Sequence, residues 1–267
     1  MLWDTHMHTR YSGDSEASPD TMVRAAIQKG LGGICFTDHY DYAYPKEPAL
    51  FLLDFSDYEK EISALREAYS GQISIRWGVE LGLQPQLAEH NRSVANAYPF
   101  DFIIGSSHVV HGIDPYYPEY YEGRRESAAY LEYFESILEN LQVYTDFDVY
   151  GHLDYVVRYG PCKDANYSYE EYSEVIDEIL RTLIAQGKGI EVNTGGIKYG
   201  LLHPHPTEAI LARYRELGGE IVTLGADAHK PEHVAHSFEK LPEILRAAGF
   251  SHFTVFEGRK PRFLPLG

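Results

Sequence analysis

The chain has 267 residues, of which 44% are hydrophobic, and we predict a single domain over residues 1–267. With 23 Lys and Arg against 40 Asp and Glu, its formal net charge is −17, and no basic block could follow a phosphate backbone. We therefore expect no nucleic-acid partner. The sequence contains no apolar run long enough to span a membrane and no pattern of a secretory signal. We expect a cytoplasmic protein that does not bind membranes.

The first half of the chain alternates strand-like and helix-like segments. Segment 2–8 has strand character and places Asp4, His6 and His8 on one face, because successive strand side chains point to opposite sides. A helix follows with Ser18 as its N-cap and Pro19 at its first position. The elements predicted next are strands at 32–37, 73–81 and 100–106, a helix that a capping box of Ser56 and Glu59 begins, and a helix at 86–97.

A Tyr- and Pro-rich insertion at 110–126 interrupts this alternation, which then resumes. The helices predicted after it are 127–141, 168–186, 207–217 and 232–248, and the strands are 147–151, 189–193, 220–225 and 253–256. The segments 155–167 and 194–198 are expected to be a loop and a turn, and the chain ends in a Pro-rich tail. Seven or eight strand-then-helix units favour an α/β fold, a parallel (β/α)7–8 TIM-like barrel.

Polar side chains, most of them of a metal-ligand type, follow nearly every predicted strand. They are His6, His8, Asp38, His39, Glu80, His108, His152, Asn193, Asp227 and His229. Because the carboxyl ends of barrel strands share one mouth, these side chains should meet there and bind metal ions. The histidines that fall in predicted helices and loops are expected to have no special role: His90, His203, His205, His233, His236 and His252.

The order and placement of these residues resemble the motifs of the polymerase and histidinol phosphatase (PHP) family. The motifs that match are His6-Met7-His8, Asp38-His39, Glu80, His108, His152 and Asp227-Ala228-His229. Within that family, the chain length, the segment 191–196 and the long inserts resemble the histidinol-phosphate phosphatases. The resemblance implies a distorted barrel and an enzyme that hydrolyses L-histidinol phosphate to L-histidinol and phosphate in histidine biosynthesis.

The resemblance also implies three divalent metal ions with defined ligands. The first ion would bind to His6, His8, Glu80 and Asp227; the second to Glu80, His108 and His152; and the third to Asp14, His39 and His229. The segment 12–15 that contains Asp14 is also typical of a plain turn. Zinc, manganese and iron all accept such ligands, and magnesium is a further candidate.

Two cations close together can hold a shared hydroxide, clamp a phosphoryl group and offset charge on the attacking and leaving oxygens. This chemistry suits a phosphoric monoester hydrolase. Arg158 and Lys198 lie in loops after strands with site residues, so we expect them to bind the phosphate, as their positions in the family also imply. The alternative is that they are solvated loop cations. His39 is either a ligand of the third metal or the proton donor to the leaving group, and Asp4 is expected to orient a ligand histidine from behind.

The substrate wall is less defined by the sequence. Segment 116–133 is either a Tyr-rich lid, with aromatic walls for an imidazole or ammonium group, or a plain solvated loop. Glu119 and Glu122 are candidates to meet a cationic amine. Three alternatives stay open: a PHP phosphoesterase acting on other small phosphomonoesters, phosphotyrosine or nucleotides; an amidohydrolase, although Ser107-His108 stands where that class usually has a lysine; and a metal-buffering module. The oligomeric state is not predicted.

Overall fold

The computed structural model describes residues 1–267. Its strands are β1 (Trp3–Asp4), β2 (Gly33–Phe36), β3 (His39–Tyr40), β4 (Ser74–Gly82), β5 (Phe102–Ser106), β6 (Val149–Tyr150), β7 (Gly189–Asn193), β8 (Val222–Gly225), β9 (His252–Glu257) and β10 (Lys260–Pro265). Its helices are α1 (Pro19–Gln28), α2 (Phe55–Ala68), α3 (Ala88–Ala97), α4 (Glu126–Val143), α5 (Ser173–Ala185), α6 (Gly195–Lys198), α7 (Glu208–Glu216) and α8 (Leu241–Ala247). No helix is long and apolar enough to cross a membrane.

Seven strands form a nearly closed parallel barrel, which confirms the predicted α/β class. The strand order is β1-β2-β4-β5-β6-β7-β8, and the short strand β3 pairs with β4. The chain after β1 completes the ring against β8, because the Thr5 N–H donates to Leu224 O at 2.8 Å and the Asp227 N–H donates to His6 O at 2.9 Å. The carboxyl ends of all these strands therefore surround one mouth.

The core lies between the barrel and the helices around it. Strand β2 is buried along its whole length, as expected for a parallel strand that is covered on both faces. Helix α5 buries Ile176, Ile179, Leu180 and Leu183, a spacing of three and four residues that forms one apolar stripe facing the barrel. This packing fixes the strands, and with them the direction of the side chains at the mouth.

Two helix starts differ from the sequence prediction. The N-cap of α2 is Asp54, not Ser56, since its carboxylate accepts the N–H groups of Ser56 and Asp57 at 3.1 Å each. An aspartate caps a helix as well as serine does, so the capping box was placed two residues too late. The segment predicted as helix from residue 168 begins with a 3-10 turn at Tyr169–Tyr172, and the α-helix starts at Ser173.

The predicted helix at 232–248 is also wrong in its first half. Ala235 and Ser237 have φ values of 48° and 57°, which a right-handed helix does not allow, so α8 is the only α-helix in this segment. The tail is not irregular, because β10 pairs with β9 as an antiparallel hairpin. Pro261 and Pro265 are tolerated in β10 because it is an edge strand.

Candidate metal centre

Glu80 lies at the centre of the side chains that converge at the barrel mouth. It lies near the carboxyl end of β4, is completely buried, and faces five imidazoles. Its Oε2 lies 3.2 Å from His6 Nε2, 3.5 Å from His8 Nε2 and 2.9 Å from His39 Nδ1, and its Oε1 lies 3.3 Å from His108 Nε2 and 2.9 Å from His152 Nε2. Glu80 and five of the predicted strand-end histidines therefore form one cluster, whereas the Asp38 carboxylate accepts from Thr9 and Ser12 instead.

Asp14, Asp227 and His229 extend this cluster on the side where the barrel closes. Asp227 Oδ1 lies 3.4 Å from His8 Nε2, and His229 Nε2 lies 3.0 Å from Asp14 Oδ2. Asp14 Oδ2 is also 3.7 Å from His39 Nε2, so the turn at 12–15 brings this carboxylate to the site. The segment is thus a turn, as one prediction had it, and it also places Asp14 beside His39 and His229, as the other prediction required.

The buried donor atoms of the cluster are suited to divalent cations. His6 Nε2, His8 Nε2, His39 Nδ1 and Glu80 Oε2 are all buried without a hydrogen-bond partner. Four groups of three residues each bring their ligand atoms within 4.8 Å of one another; they are His8-His39-His229, His6-His8-Glu80, His39-Asp41-His108 and Glu80-His108-His152. Buried polar atoms are rarely left unpaired, and a cation shared by nitrogen and oxygen donors would satisfy them.

The charges of the cluster favour an ionised central carboxylate. Burial alone raises the pKa of Glu80, but the charges of His6, His39 and His108 outweigh it and hold the pKa well below its usual value. Burial lowers the pKa of His39, yet the Glu80 and Asp14 carboxylates raise it to about 9 when no cation is bound. A metal ion that binds His39 would therefore have to displace a proton, which would couple metal loading to pH.

Three imidazoles of the cluster are oriented by side chains that contact the ring nitrogen facing away from Glu80. Glu191 accepts the Nδ1–H of His6 at 2.7 Å, and Asp41 accepts the Nδ1–H of His108 at 2.9 Å. His8 Nδ1 lies 3.0 Å from Ser12 Oγ. Such partners set the tautomer and direction of a ligand histidine.

Asp4 does not have the role predicted for it. Its carboxylate accepts the backbone N–H groups of His6, Ala226 and Ala235 at 3.3, 3.0 and 2.8 Å, and it contacts no imidazole. It therefore ties the first strand to the chain after β8, while Glu191 orients His6. Neither Glu191 nor Asp41 was predicted to have a role at the site. A charged residue inside the apolar strand β7, and a carboxylate two residues after His39, were the available signals.

Arg158 was predicted either to bind the phosphate or to be a solvated loop cation, and the structure excludes the second alternative. Its side chain is buried, its Nη2 lies 3.1 Å from Asp227 Oδ2, and its guanidinium lies 4.4 Å from the centre of the Tyr199 ring. Lys198 is partly buried, and its Nζ donates to the main-chain carbonyl of Asp227 at 2.5 Å. Both cations therefore lie at the edge of the metal cluster, beside the same aspartate.

His205 was wrongly grouped with the histidines of no special role. It is completely buried, its Nδ1–H donates to Asp154 Oδ1 at 2.5 Å, and its Nε2 lies 3.4 Å from Arg158 Nε. Burial lowers the pKa of His205 to about 4, so the ring is neutral and its Nε2 accepts from the guanidinium. Among the others of that group, His203 is buried and His233 lines the cavity described next.

A cavity of about 520 Å³ opens over the metal cluster. Its aromatic lining residues are Tyr44, Phe51, Tyr116, Tyr117, Tyr155, Tyr159 and Tyr199. The insertion thus supplies two aromatic wall residues, whereas its next tyrosines, Tyr120 and Tyr121, are buried in the core. Glu119 pairs with Lys46 at 2.6 Å, and neither it nor Glu122 lines the cavity, so the prediction that they meet an amine is wrong. Closure of the insertion as a lid stays a prediction.

The comparisons with known proteins agree with this geometry. A profile described as "PHP domain" matches residues 4–195. The chain is 34% identical to a histidinol-phosphatase of Lactococcus lactis, over 96% of this chain and 95% of that one. It is 33% identical to a probable histidinol-phosphatase of Clostridium acetobutylicum, over 90% and 91% of the two chains.

A solved structure extends the likeness to the whole fold. It is a histidinol phosphate phosphatase of Lactococcus lactis complexed with zinc, L-histidinol and phosphate, which matches with a TM-score of 0.90 and 33% identity over 98% of both chains. The single-domain extent over 1–267 stays a prediction, since the profile ends at residue 195. The order of motifs and these matches exclude the amidohydrolase alternative, and the chain belongs to the PHP family.

Proposed function

We propose that this protein hydrolyses L-histidinol phosphate to L-histidinol and inorganic phosphate, as a metal-dependent phosphoric monoester hydrolase of histidine biosynthesis. The observation that carries the proposal is the position of two cations, Arg158 and Lys198, beside a buried imidazole–carboxylate cluster at the mouth of the barrel. The Lactococcus lactis relative with the same fold is named for this activity and was solved with zinc, L-histidinol and phosphate.

The cluster has donors for three divalent ions. The proposed sets are His6, His8, Glu80 and Asp227 for the first ion; Glu80, His108 and His152 for the second; and Asp14, His39 and His229 for the third. The short separations between Glu80 and five imidazoles support a shared central carboxylate. Both nitrogens of His39 face carboxylates, which favours a ligand over a free proton donor. Zinc is the first candidate, with manganese, iron and magnesium as alternatives.

When bound, the ions would supply Lewis acidity toward the phosphoryl oxygens and an activated water as nucleophile. The protein itself supplies orientation and charge. Arg158 presents a planar fork of donors that suits phosphate oxygens, and its contacts with Asp227 and His205 hold that fork in place. Lys198 adds a second positive charge on the same side. Asp227 stays ionised: burial raises its pKa, but contacts with His8, Arg158 and Lys198 outweigh it and hold the pKa well below its usual value.

Phosphate release from a panel of esters tests the proposal. The panel contains L-histidinol phosphate, p-nitrophenyl phosphate, phosphotyrosine and a nucleoside monophosphate, each assayed before and after chelation and after metal is added back. We expect the highest kcat/KM for L-histidinol phosphate, and loss of all activity on chelation. A preference for phosphotyrosine or the nucleotide would place the protein in another branch of the family. No release from any ester by metal-loaded protein would support the metal-buffering alternative.

The number and identity of the ions need a separate measurement. Anomalous scattering at the zinc, manganese and iron absorption edges, from a crystal soaked with phosphate, would count the ions and give their ligands. We expect three ions with Glu80 shared between two of them. A third ion that Asp14 does not bind, or only two ions, would contradict the proposed third site.

A further inference from the structure

Asp114 is a buried carboxylate of the cavity wall that belongs to none of the proposed metal sites. It lies in the insertion after β5, is 5% exposed, and lines the cavity. Its Oδ2 accepts the Tyr44 hydroxyl at 2.7 Å, and its Oδ1 accepts the Tyr116 N–H at 2.7 Å and the Tyr155 hydroxyl at 3.3 Å. These donors hold the carboxylate in one orientation.

One layer of aromatic rings separates Asp114 from the metal cluster. The Tyr155 ring centre lies 5.5 Å from that of His108 and 5.1 Å from that of His152, while its hydroxyl reaches Asp114. On the other side, the Phe51 ring lies 5.0 Å from His39 and 4.9 Å from Tyr44. Asp114 is thus close to the proposed site of the ester, but not in contact with the metal ligands.

The charge of Asp114 has no counter-ion in the protein. The other carboxylates that line the cavity are Asp14, Asp41 and Asp227, and each lies within 4.0 Å of an imidazole. No Lys, Arg or His nitrogen lies within that distance of Asp114. An isolated carboxylate is costly to bury, and such groups are usually paired. A cation that enters the cavity would supply the missing charge.

We propose that Asp114 binds the ammonium group of the substrate, and so selects phosphate esters of amino alcohols. The inference rests on the proposed function, in which the ester is L-histidinol phosphate. In that molecule the ammonium lies two carbons from the ester oxygen. Arg158 and Lys198 take the phosphate on one side of the cavity, and Asp114 takes the ammonium on another. Tyr44, Tyr116 and Tyr155 line the cavity beside the carboxylate, and aromatic rings near a bound cation add to its attraction.

The test compares L-histidinol phosphate with its deamino analogue, which keeps the imidazole and the phosphate but lacks the amine. The variant is Asp114→Asn, which has nearly the same shape without the charge. The matched control is Glu119→Gln, which removes a carboxylate of the same insertion that does not face the cavity. Because a hydrogen bond to a charged group is lost, we expect Asp114→Asn to reduce the preference for the aminated ester by about 10- to 100-fold. Glu119→Gln should leave that preference unchanged.

Binding of the product gives a readout apart from turnover. Calorimetry with L-histidinol and with its deamino analogue should show the same selective loss in Asp114→Asn. An unchanged preference in this variant, or an equal loss on both esters, would overturn the assignment. If Asp114→Asn does not fold, Tyr44→Phe decides: a several-fold loss on the aminated ester alone supports the inference, and an equal loss refutes it. A wild-type enzyme with no preference for the aminated ester would also overturn the assignment. The proposed function itself would fail only if L-histidinol phosphate were not the best substrate of the ester panel, which separates the two failures.

Discussion

The floor of the cavity is the imidazole–carboxylate cluster around Glu80, and its wall is formed by Asp114 and the aromatic lining residues. The two regions differ in how the hydrogen bonds of their polar atoms are satisfied. On the floor, buried atoms such as His6 Nε2 and Glu80 Oε2 face each other at 3.2 Å without forming a hydrogen bond. In the wall, by contrast, the Tyr44 and Tyr155 hydroxyls and the Tyr116 N–H all donate to Asp114. The floor therefore lacks hydrogen-bond partners until a cation binds, whereas the wall has its hydrogen bonds and lacks only a counter-ion for Asp114. In our proposal, the floor carries out hydrolysis of the ester and the wall determines which ester is preferred.

The two regions also come from different parts of the chain. The floor residues stand at strand ends whose spacing is fixed by parallel pairing, such as the register of His39 opposite Glu80. The wall residues come from irregular segments, including the loop that carries Asp114, Tyr116 and Tyr117 and the 3-10 turn Tyr155–Arg158. Substitutions in the floor should therefore abolish activity on every ester, while those in the wall should change which ester is preferred.

Glu80→Gln should have the largest effect on activity. It replaces the central carboxylate, which faces five imidazoles, with an uncharged amide. We expect bound metal to fall and kcat/KM to drop by about 10³-fold or more on all esters, which is ~4 kcal/mol of transition-state stabilisation. Metal analysis and kinetics on the same preparation measure both effects. A variant that keeps its metal and its rate would refute the shared role of Glu80.

Arg158→Met tests the cation between the floor and the wall. The substitution keeps much of the volume against the Tyr199 ring but removes the donors that we propose bind the phosphate. We expect about 10²-fold lower kcat/KM with normal metal content, the size of effect seen when one transition-state donor is lost. Arg158→Lys should recover only part of this loss, because an ammonium does not form the planar fork. Equal activity of the Lys and Arg forms would show that charge alone matters there.

The floor was predictable because its signal is periodic. Ligand-type residues at strand ends such as Glu80 and His152 can be found by counting strands, and the fold then brings them together. Glu191 was missed because it lies inside an apolar strand, where a side chain normally belongs to the core. Only the contact with His6, 185 residues away in sequence, reveals its role.

The wall and the C-terminal region were less predictable because tertiary contacts determine them. Asp114 lies in an insertion without any periodic pattern, so nothing marked it apart from Glu119 or Glu122. His205 acquires its role from Asp154 and Arg158, which no local pattern links to it. The break before α8 depends on positive φ values at Ala235 and Ser237, residues that give no such signal by their type.

Glu191→Gln should have a graded effect that lies between these two regions. The variant keeps the shape of the side chain but weakens the hydrogen bond that orients His6, without removing a metal ligand. We expect metal affinity to fall by about 10- to 100-fold, and activity to return when excess metal is supplied. Titration of apo-protein with zinc, followed by activity, measures this. A loss that excess metal does not restore would mean that Glu191 acts otherwise than through the metal.

His205→Asn should have the smallest effect on catalysis and a distinct effect on pH stability. Asparagine can still donate to Asp154, so we expect less than about a 10-fold loss in kcat/KM, since Arg158 keeps its contact with Asp227. In the wild type, burial lowers the pKa of His205 from 6.5 to about 4. Between those pH values the unfolded chain binds a proton that the folded chain does not, so wild-type stability falls as the pH is lowered through this window. Urea denaturation at pH 7 and pH 5, at equal metal loading, should show that the wild type loses about 2 kcal/mol more than His205→Asn. Equal losses in the two proteins would mean that His205 is not held neutral, and that it does not accept from Arg158.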